Sequence, residues 1–118
     1  MSGTSASETA VILVTGPDAA TLEEIGRRLV EERLAACLNV VPGITSVYRW
    51  QGRVHRDSEA MAAIKTTRAR AAAVEARIRE LHPYELPEVL VLPVAGGSNA
   101  YREWVADCVA ERSEDGGT

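Results

Sequence analysis

The stretch His82-Pro83-Tyr84-Glu85-Leu86-Pro87-Glu88 constrains this chain more than any other. Proline fixes its own φ and pushes the residue before it out of the helical region, so Pro83 stops a helix at His82 and Pro87 keeps one from restarting. A helical pattern precedes the stretch and the apolar run Val89-Leu90-Val91-Leu92 follows it. It is therefore a stiff, extended connector from a helix to a strand. Stiffness lowers the entropy lost on ordering, so such a connector can hold side chains in fixed positions at a cleft. Its plainer reading is helix-stop punctuation.

The remaining elements follow from hydrophobic period. Ala10 to Thr15 is continuously apolar up to its last residue and ends at Gly16-Pro17, the pattern of a strand buried on both faces. Asp18 or Thr21 opens a helix, with Thr21 and Glu24 reading as a capping box. Leu22, Ile25 and Leu29 form its stripe, widened by Val30 and Leu34, and Glu23–Arg27 and Glu24–Arg28 are favourable i,i+4 pairs. Ala35 to Val41 reads as strand, Pro42-Gly43 as a bend, and Ile44 to Trp50 as strand again, with Tyr48 and Trp50 on one face and Val47 and Arg49 on the other. Gln51-Gly52-Arg53 is a hairpin turn. The return strand, from about Arg56 to Thr66, puts Glu59, Met61, Ala63 and Lys65 on one face and Ala60, Ala62, Ile64 and Thr66 on the other. A second helix after Thr67 buries Ala71, Val74, Ile78 and Leu81. Val89 to Val94 is the last strand. Ser98 is a candidate N-cap for a final helix that carries Tyr101, Trp104, Val105 and Cys108 and ends near Arg112.

The order β-α-β-β-α-β-α predicts an α+β domain with the ferredoxin-like, split βαβ arrangement. Right-handed crossovers put the two main helices on one face of the sheet. One short helix is left to cover the other face, and the hairpin is apolar on more than one side. Both features predict self-association, with neighbouring copies covering that face and pairing its edges.

Composition sets bounds. A chain of 118 residues, 46% hydrophobic and 25% charged, is one globular domain, expected over residues 9–112 with disordered tails at 1–8 and 113–118. The net charge of −4, with no basic face, argues against nucleic acid. No apolar run approaches membrane-spanning length and no leader pattern opens the chain, so neither a membrane nor secretion is expected. Cys37 and Cys108 form no spaced motif and read as reduced thiols of the cytoplasm. Of the thirteen basic residues only Lys65 is lysine, a compact point charge where every other position carries a guanidinium.

Several segments in register resemble the CutA divalent-cation-tolerance family. They are Arg33 to Asn39, Pro42 to Gly52, Ile64-Lys65-Thr66-Thr67, His82 to Glu88 and Tyr101 to Trp104, and the resemblance covers residues 10 to 110. It implies a cytosolic homotrimer of ferredoxin-like subunits, similar in architecture to the PII signalling proteins. It also implies a link to tolerance of copper and other divalent cations, a role in signal transduction and no catalytic reaction. Some copper-binding members have a cysteine where this chain has Val14 and a second histidine where it has Leu81. The thiolate and paired imidazoles that suit copper are thinner here.

The chemistry on offer is that of binding. His82 and Cys37 are the metal-ligand candidates, with Glu85, Glu88, His55, Asp57 and Glu59 near them in sequence or on the hairpin, and a divalent cation such as Cu²⁺ is an optional rather than obligatory occupant. Without metal, His82 is a hydrogen-bonding residue at a helix end and Cys37 a small core residue. Arg33, Trp50, Glu59, Lys65, Tyr84 and Glu85 are candidates to line a cleft between subunits that takes a cation or a small anion. In the plainer reading Glu59 and Lys65 form a cross-strand or intersubunit ion pair. Gly96-Gly97-Ser98 lacks the lysine and spacing of a phosphate loop, no serine sits in a nucleophile elbow, and Cys37 lies in buried-looking surroundings, so an enzyme is not expected. The expected function is a cation- or ligand-responsive module read by protein partners. The alternative is an assembly platform for partners that needs no ligand.

Overall fold

The computed structural model describes residues 8–111 and contains seven elements in the expected order: β1 (Thr9–Gly16), α1 (Ala19–Glu31), β2 (Cys37–Trp50), β3 (Arg53–Thr67), α2 (Arg68–Leu81), β4 (Val89–Pro93) and α3 (Asn99–Val109). The four strands form one antiparallel sheet in the order β2-β3-β1-β4. That is the split βαβ layout. The tails expected at 1–8 and 113–118 lie outside the described residues except for Glu8, which is tied down: its backbone carbonyl and its carboxylate each meet Arg68 at 2.8 Å.

The period-two pattern of β3 sorts as expected. Ala60, Ala62, Ile64 and Thr66 are buried, while Glu59, Met61, Ala63 and Lys65 on the opposite face are half-buried. Ile12 and Val14 of β1, Leu22, Ile25 and Leu29 of α1, and Val74 and Ile78 of α2 complete the core against the buried β3 residues. Each large aliphatic side chain contributes about 1.5–3 kcal/mol by leaving water. Leu81 is only half-buried and Val30 is exposed, so the helical stripes are narrower than their sequence pattern. Val14 and Leu81, at the positions where some copper-binding members carry Cys and His, belong to this apolar cluster.

The start of α1 corrects one expectation. Asp18 is the cap, its carboxylate accepting the Thr21 N–H at 2.8 Å, which holds the carboxyl below the usual carboxylate range. No Thr21–Glu24 box forms, because Glu24 turns along the helix to Arg27 at 2.6 Å and Arg28 at 3.3 Å. Arg27 also reaches Glu31 at 2.7 Å and does not take the expected Glu23. Across the helix pair, Arg77 of α2 grips both carboxylate oxygens of Glu32 at 2.9 Å.

Ser98 caps α3 as expected, its hydroxyl accepting the Tyr101 N–H at 3.1 Å. The helix stops at Val109, short of Arg112, where Arg70 Nε donates to the Val109 carbonyl at 2.7 Å. Val105 and Val109 pack with Ala36. Tyr101 lies against Cys37, which pairs with Lys65, so α3 shields one end of the sheet face away from α1 and α2.

The hairpin is longer than predicted. β3 begins at Arg53, and the turn contracts to Gln51-Gly52 with φ of 52° and 79°, the left-handed pair of a type I′ turn. The bend at Pro42-Gly43 is a bulge, with the β2–β3 register shifting between Val41 and Ile44. β1 pairs with β3 only from Ala60 onward, so the hairpin runs on beyond β1 for about 20 Å. This projection accounts for extents of 50 × 30 × 22 Å and a radius of gyration of 15.5 Å, against about 13 Å for a compact chain of this size. Val47 and Val54 stand 67% and 65% exposed on one hairpin face, and Tyr48 and Trp50 are exposed on the other.

Candidate functional site: the corner groove

Where β1 stops at Gly16 and β3 continues, the sheet has an open corner, and the His82–Glu88 connector packs into it. His82 is the C-cap of α2, with the extended ψ of 138° that the following proline demands. The residue is buried, only 7% exposed. Nδ1 accepts the Tyr84 N–H at 3.1 Å, which places the imidazole proton on Nε2, and Nε2 donates to the Thr15 carbonyl at 2.7 Å. The β1–β4 ladder ends at Val14↔Val89, and the His82 ring serves the carbonyl just beyond it. Both ring nitrogens are thus taken up by the fold, and a metal at His82 has to displace one of these bonds.

Tyr84 carries the stitching across the corner. Its ring lies 4.7 Å from that of His82, and its hydroxyl donates at 2.6 Å to Glu59, the first β3 residue beyond the β1 ladder. Burial, and then the Glu59 carboxylate, push the phenol above its ordinary value. On the hairpin the Tyr48 hydroxyl donates to Asp57, and the Tyr48 ring stacks on His55 at 5.4 Å and 17°. Between connector and hairpin lies an open groove of about 1000 Å³, walled by Tyr48, Trp50, Tyr84, Leu86 and Leu90. Its charged lining is Asp57, Glu59, Glu85 and Glu88, with no lysine, arginine or histidine among the lining residues.

The six cleft candidates separate into two groups. Trp50, Glu59, Tyr84 and Glu85 meet in the groove, with His82 behind Tyr84. Arg33 and Lys65 do not line it. Lys65 donates to Asn39 and sits in register with Cys37, whose Sγ lies 3.3 Å from the Tyr101 hydroxyl. Arg33 occupies a left-handed turn (φ 62°) after α1. Glu59 and Lys65 are six residues apart on one strand, about 20 Å, so they form no ion pair within the chain. Cys37, against Tyr101 and Lys65, and His82, against Thr15 and Tyr84, share no partner. Among the described residues no three His, Cys, Asp or Glu side chains converge to hold a metal ion. The Thr15 carbonyl that positions His82 left no signal in the sequence, since a backbone acceptor has no residue type.

All three tyrosines have raised phenol values: Tyr84 as above, Tyr48 through its bond to Asp57, and Tyr101 through its contact with Cys37. A raised phenol favours the folded state while it is neutral. Its contribution is complete below the unfolded value of about 10 and disappears as pH rises through the folded value. Spectrophotometric titration is expected to show tyrosine ionisation displaced upward from about 10; a full one-tyrosine step at that pH contradicts these contacts.

The fold and corner define a class, an α+β sandwich with a projecting hairpin whose base is closed by a proline-framed connector. A family model described as "CutA1 divalent ion tolerance protein" matches residues 10–108. The Divalent-cation tolerance protein CutA of Thermus thermophilus is 45% identical over 97 residues, which cover 82% of this chain and 94% of that protein. "Protein CutA, chloroplastic" of Arabidopsis thaliana is 42% identical over 95 residues; they cover 80% of this chain but 52% of that protein, about half its length. A solved structure of the divalent cation tolerance protein (Cut A1) from Thermus thermophilus superposes with a TM-score of 0.84 at 43% identity, over 86% of this chain and 99% of that one. The chain belongs to the CutA1 divalent ion tolerance family. Among the described residues no helix is long and apolar enough to cross a membrane.

Proposed function

We propose that this protein is a cytoplasmic, PII-like homotrimer that binds divalent cations, copper among them, at the corner grooves and signals their presence to partner proteins without catalysing a reaction. One observation carries the reading: four carboxylates and no cationic side chain line an open groove. The names of the relatives, which speak of divalent-cation tolerance, support the choice of cation. In this reading a neighbour's groups complete the coordination that one chain leaves short of three converging ligands. The separation of Cys37 from His82 speaks for binding over chemistry, since no thiol–imidazole pair is assembled within the chain.

Calorimetric titration with Cu²⁺ and Zn²⁺ tests it. Glu59→Gln with Glu88→Gln is expected to weaken binding about tenfold, or about 1.4 kcal/mol, while Cys37→Ser leaves it unchanged. Undiminished binding in the double variant, or loss of binding in Cys37→Ser, removes the groove as the cation site.

A further inference from the structure

Charge is balanced locally on the helices and left unbalanced on the hairpin and the connector. Every arginine of α1 and α2 (Arg27, Arg28, Arg68, Arg70, Arg77 and Arg79) is ion-paired, at 2.6 to 3.8 Å. Arg49 and Arg56, exposed on the hairpin, form no ion pair among the described residues. The β2–β3 register sets Val47 opposite Arg56 and Arg49 opposite Val54, so these four side chains share one face. Tyr48, Trp50 and Asp57 project from the opposite face into the chain's own groove. The connector and the start of β4 carry the complementary set. Glu85, Leu86, Glu88 and Leu90 are all exposed, and neither carboxylate forms an ion pair among the described residues.

We propose that the hairpin face of one copy, Val47, Arg49, Val54 and Arg56, docks on the connector surface of the next copy, Glu85, Leu86, Glu88 and Leu90. Each surface offers two charges and two aliphatic side chains, opposite in sign and alike in number. The spacings also match. Arg49 and Arg56 are diagonal neighbours, roughly 7–8 Å apart, and Glu85 and Glu88 are at most about 10 Å apart along an extended chain. The hairpin is the element that projects beyond the rest of the sheet, so it has the reach to find a neighbour. Two hairpin faces brought together set arginine against arginine, and two connectors set glutamate against glutamate. The contact therefore joins unlike patches head to tail, the kind of contact that closes a ring of copies rather than a two-fold pair. Exposed ion pairs are individually weak, up to about fivefold each in an equilibrium. The valines and leucines supply the adhesion and the charges select the face. This inference goes beyond the cation reading and stands without it, since Asp57 and Glu59 are not part of the contact.

A charge swap tests it. Size-exclusion chromatography of the full chain in urea, at one protein concentration, brings even a tight assembly into range without screening its charges. Arg49→Glu with Arg56→Glu, and separately Glu85→Arg with Glu88→Arg, are expected to lose assembly at a urea concentration where the wild type keeps it. The four substitutions together restore opposite charges across the contact and are expected to recover assembly there. Recovery separates the contact from damage to the fold, because two further charge reversals do not rescue a chain that misfolds. Either pair assembling like the wild type overturns the proposal and gives that patch to another occupant. A fourfold variant that fails to recover overturns it as well, as does a wild-type chain that stays single without urea.

Discussion

His82→Ala is expected to lower the stability of the fold by about 3–5 kcal/mol, measured by denaturant unfolding at one fixed protein concentration. The imidazole is nearly fully buried and has two backbone partners, the Thr15 carbonyl at 2.7 Å and the Tyr84 N–H at 3.1 Å. Alanine leaves both unpaired, and each buried unpaired backbone group costs about 1–3 kcal/mol. The vacated ring space adds to the loss, because Tyr84 packs on that ring at 4.7 Å. The damage reaches the groove, since Tyr84 is the residue that ties the connector to Glu59. If His82 acts instead as a free metal ligand, the variant loses cation binding while its stability changes by less than about 1 kcal/mol, a value below the cost of even one orphaned buried group. That pairing of results contradicts the account.

Gly26→Ala is the second large effect, and its sign is the informative part. In an exposed helix this change stabilises by about 1 kcal/mol. Here it is expected to destabilise by about 2 kcal/mol, as overpacking does. A β-carbon on Gly26 would overlap the δ- and γ-carbons of Leu38, so that either α1 or the Leu38 side chain has to shift. The missing side chain is what lets helix and β2 approach so closely. A double-mutant cycle isolates the contact. In a Leu38→Ala background the same change should cost less than about 0.5 kcal/mol, and a large undiminished cost there assigns the effect to the backbone rather than to Leu38.

Much of the fold was legible because its signals are periodic. The alternation of residues 59 to 66 named the two sheet faces correctly, and the proline pair placed the helix end at His82. The caps were only half legible: Asp18 and Thr21 offered the same short polar side chain three residues apart, and backbone geometry chose between them. Gly26 carried no readable signal, since a glycine within a helical stripe marks a close approach only once its partner across the sheet is known. The site divided in the same way. Trp50, Glu59, Tyr84 and Glu85 converge because the connector packs beside the hairpin. Lys65 as a cleft candidate and Cys37 as a metal-ligand candidate were chosen by residue type, yet they lie away from the groove along β3 and β2, a separation set by strand length that residue type does not encode.

The edges of the molecule bring these threads together. β4 presents Leu90, Val91 and Leu92 at an unpaired sheet edge, each more than 40% exposed, and the hairpin is apolar on both faces. A surface of that kind is what monomeric proteins avoid. Sedimentation equilibrium at micromolar concentration is the most direct measurement. A species of about three times the 12.7 kDa chain mass, with no folded single chain appearing on dilution, is the expected result. A stable, folded 12.7 kDa particle contradicts the claim that this sheet is finished only by further copies of itself.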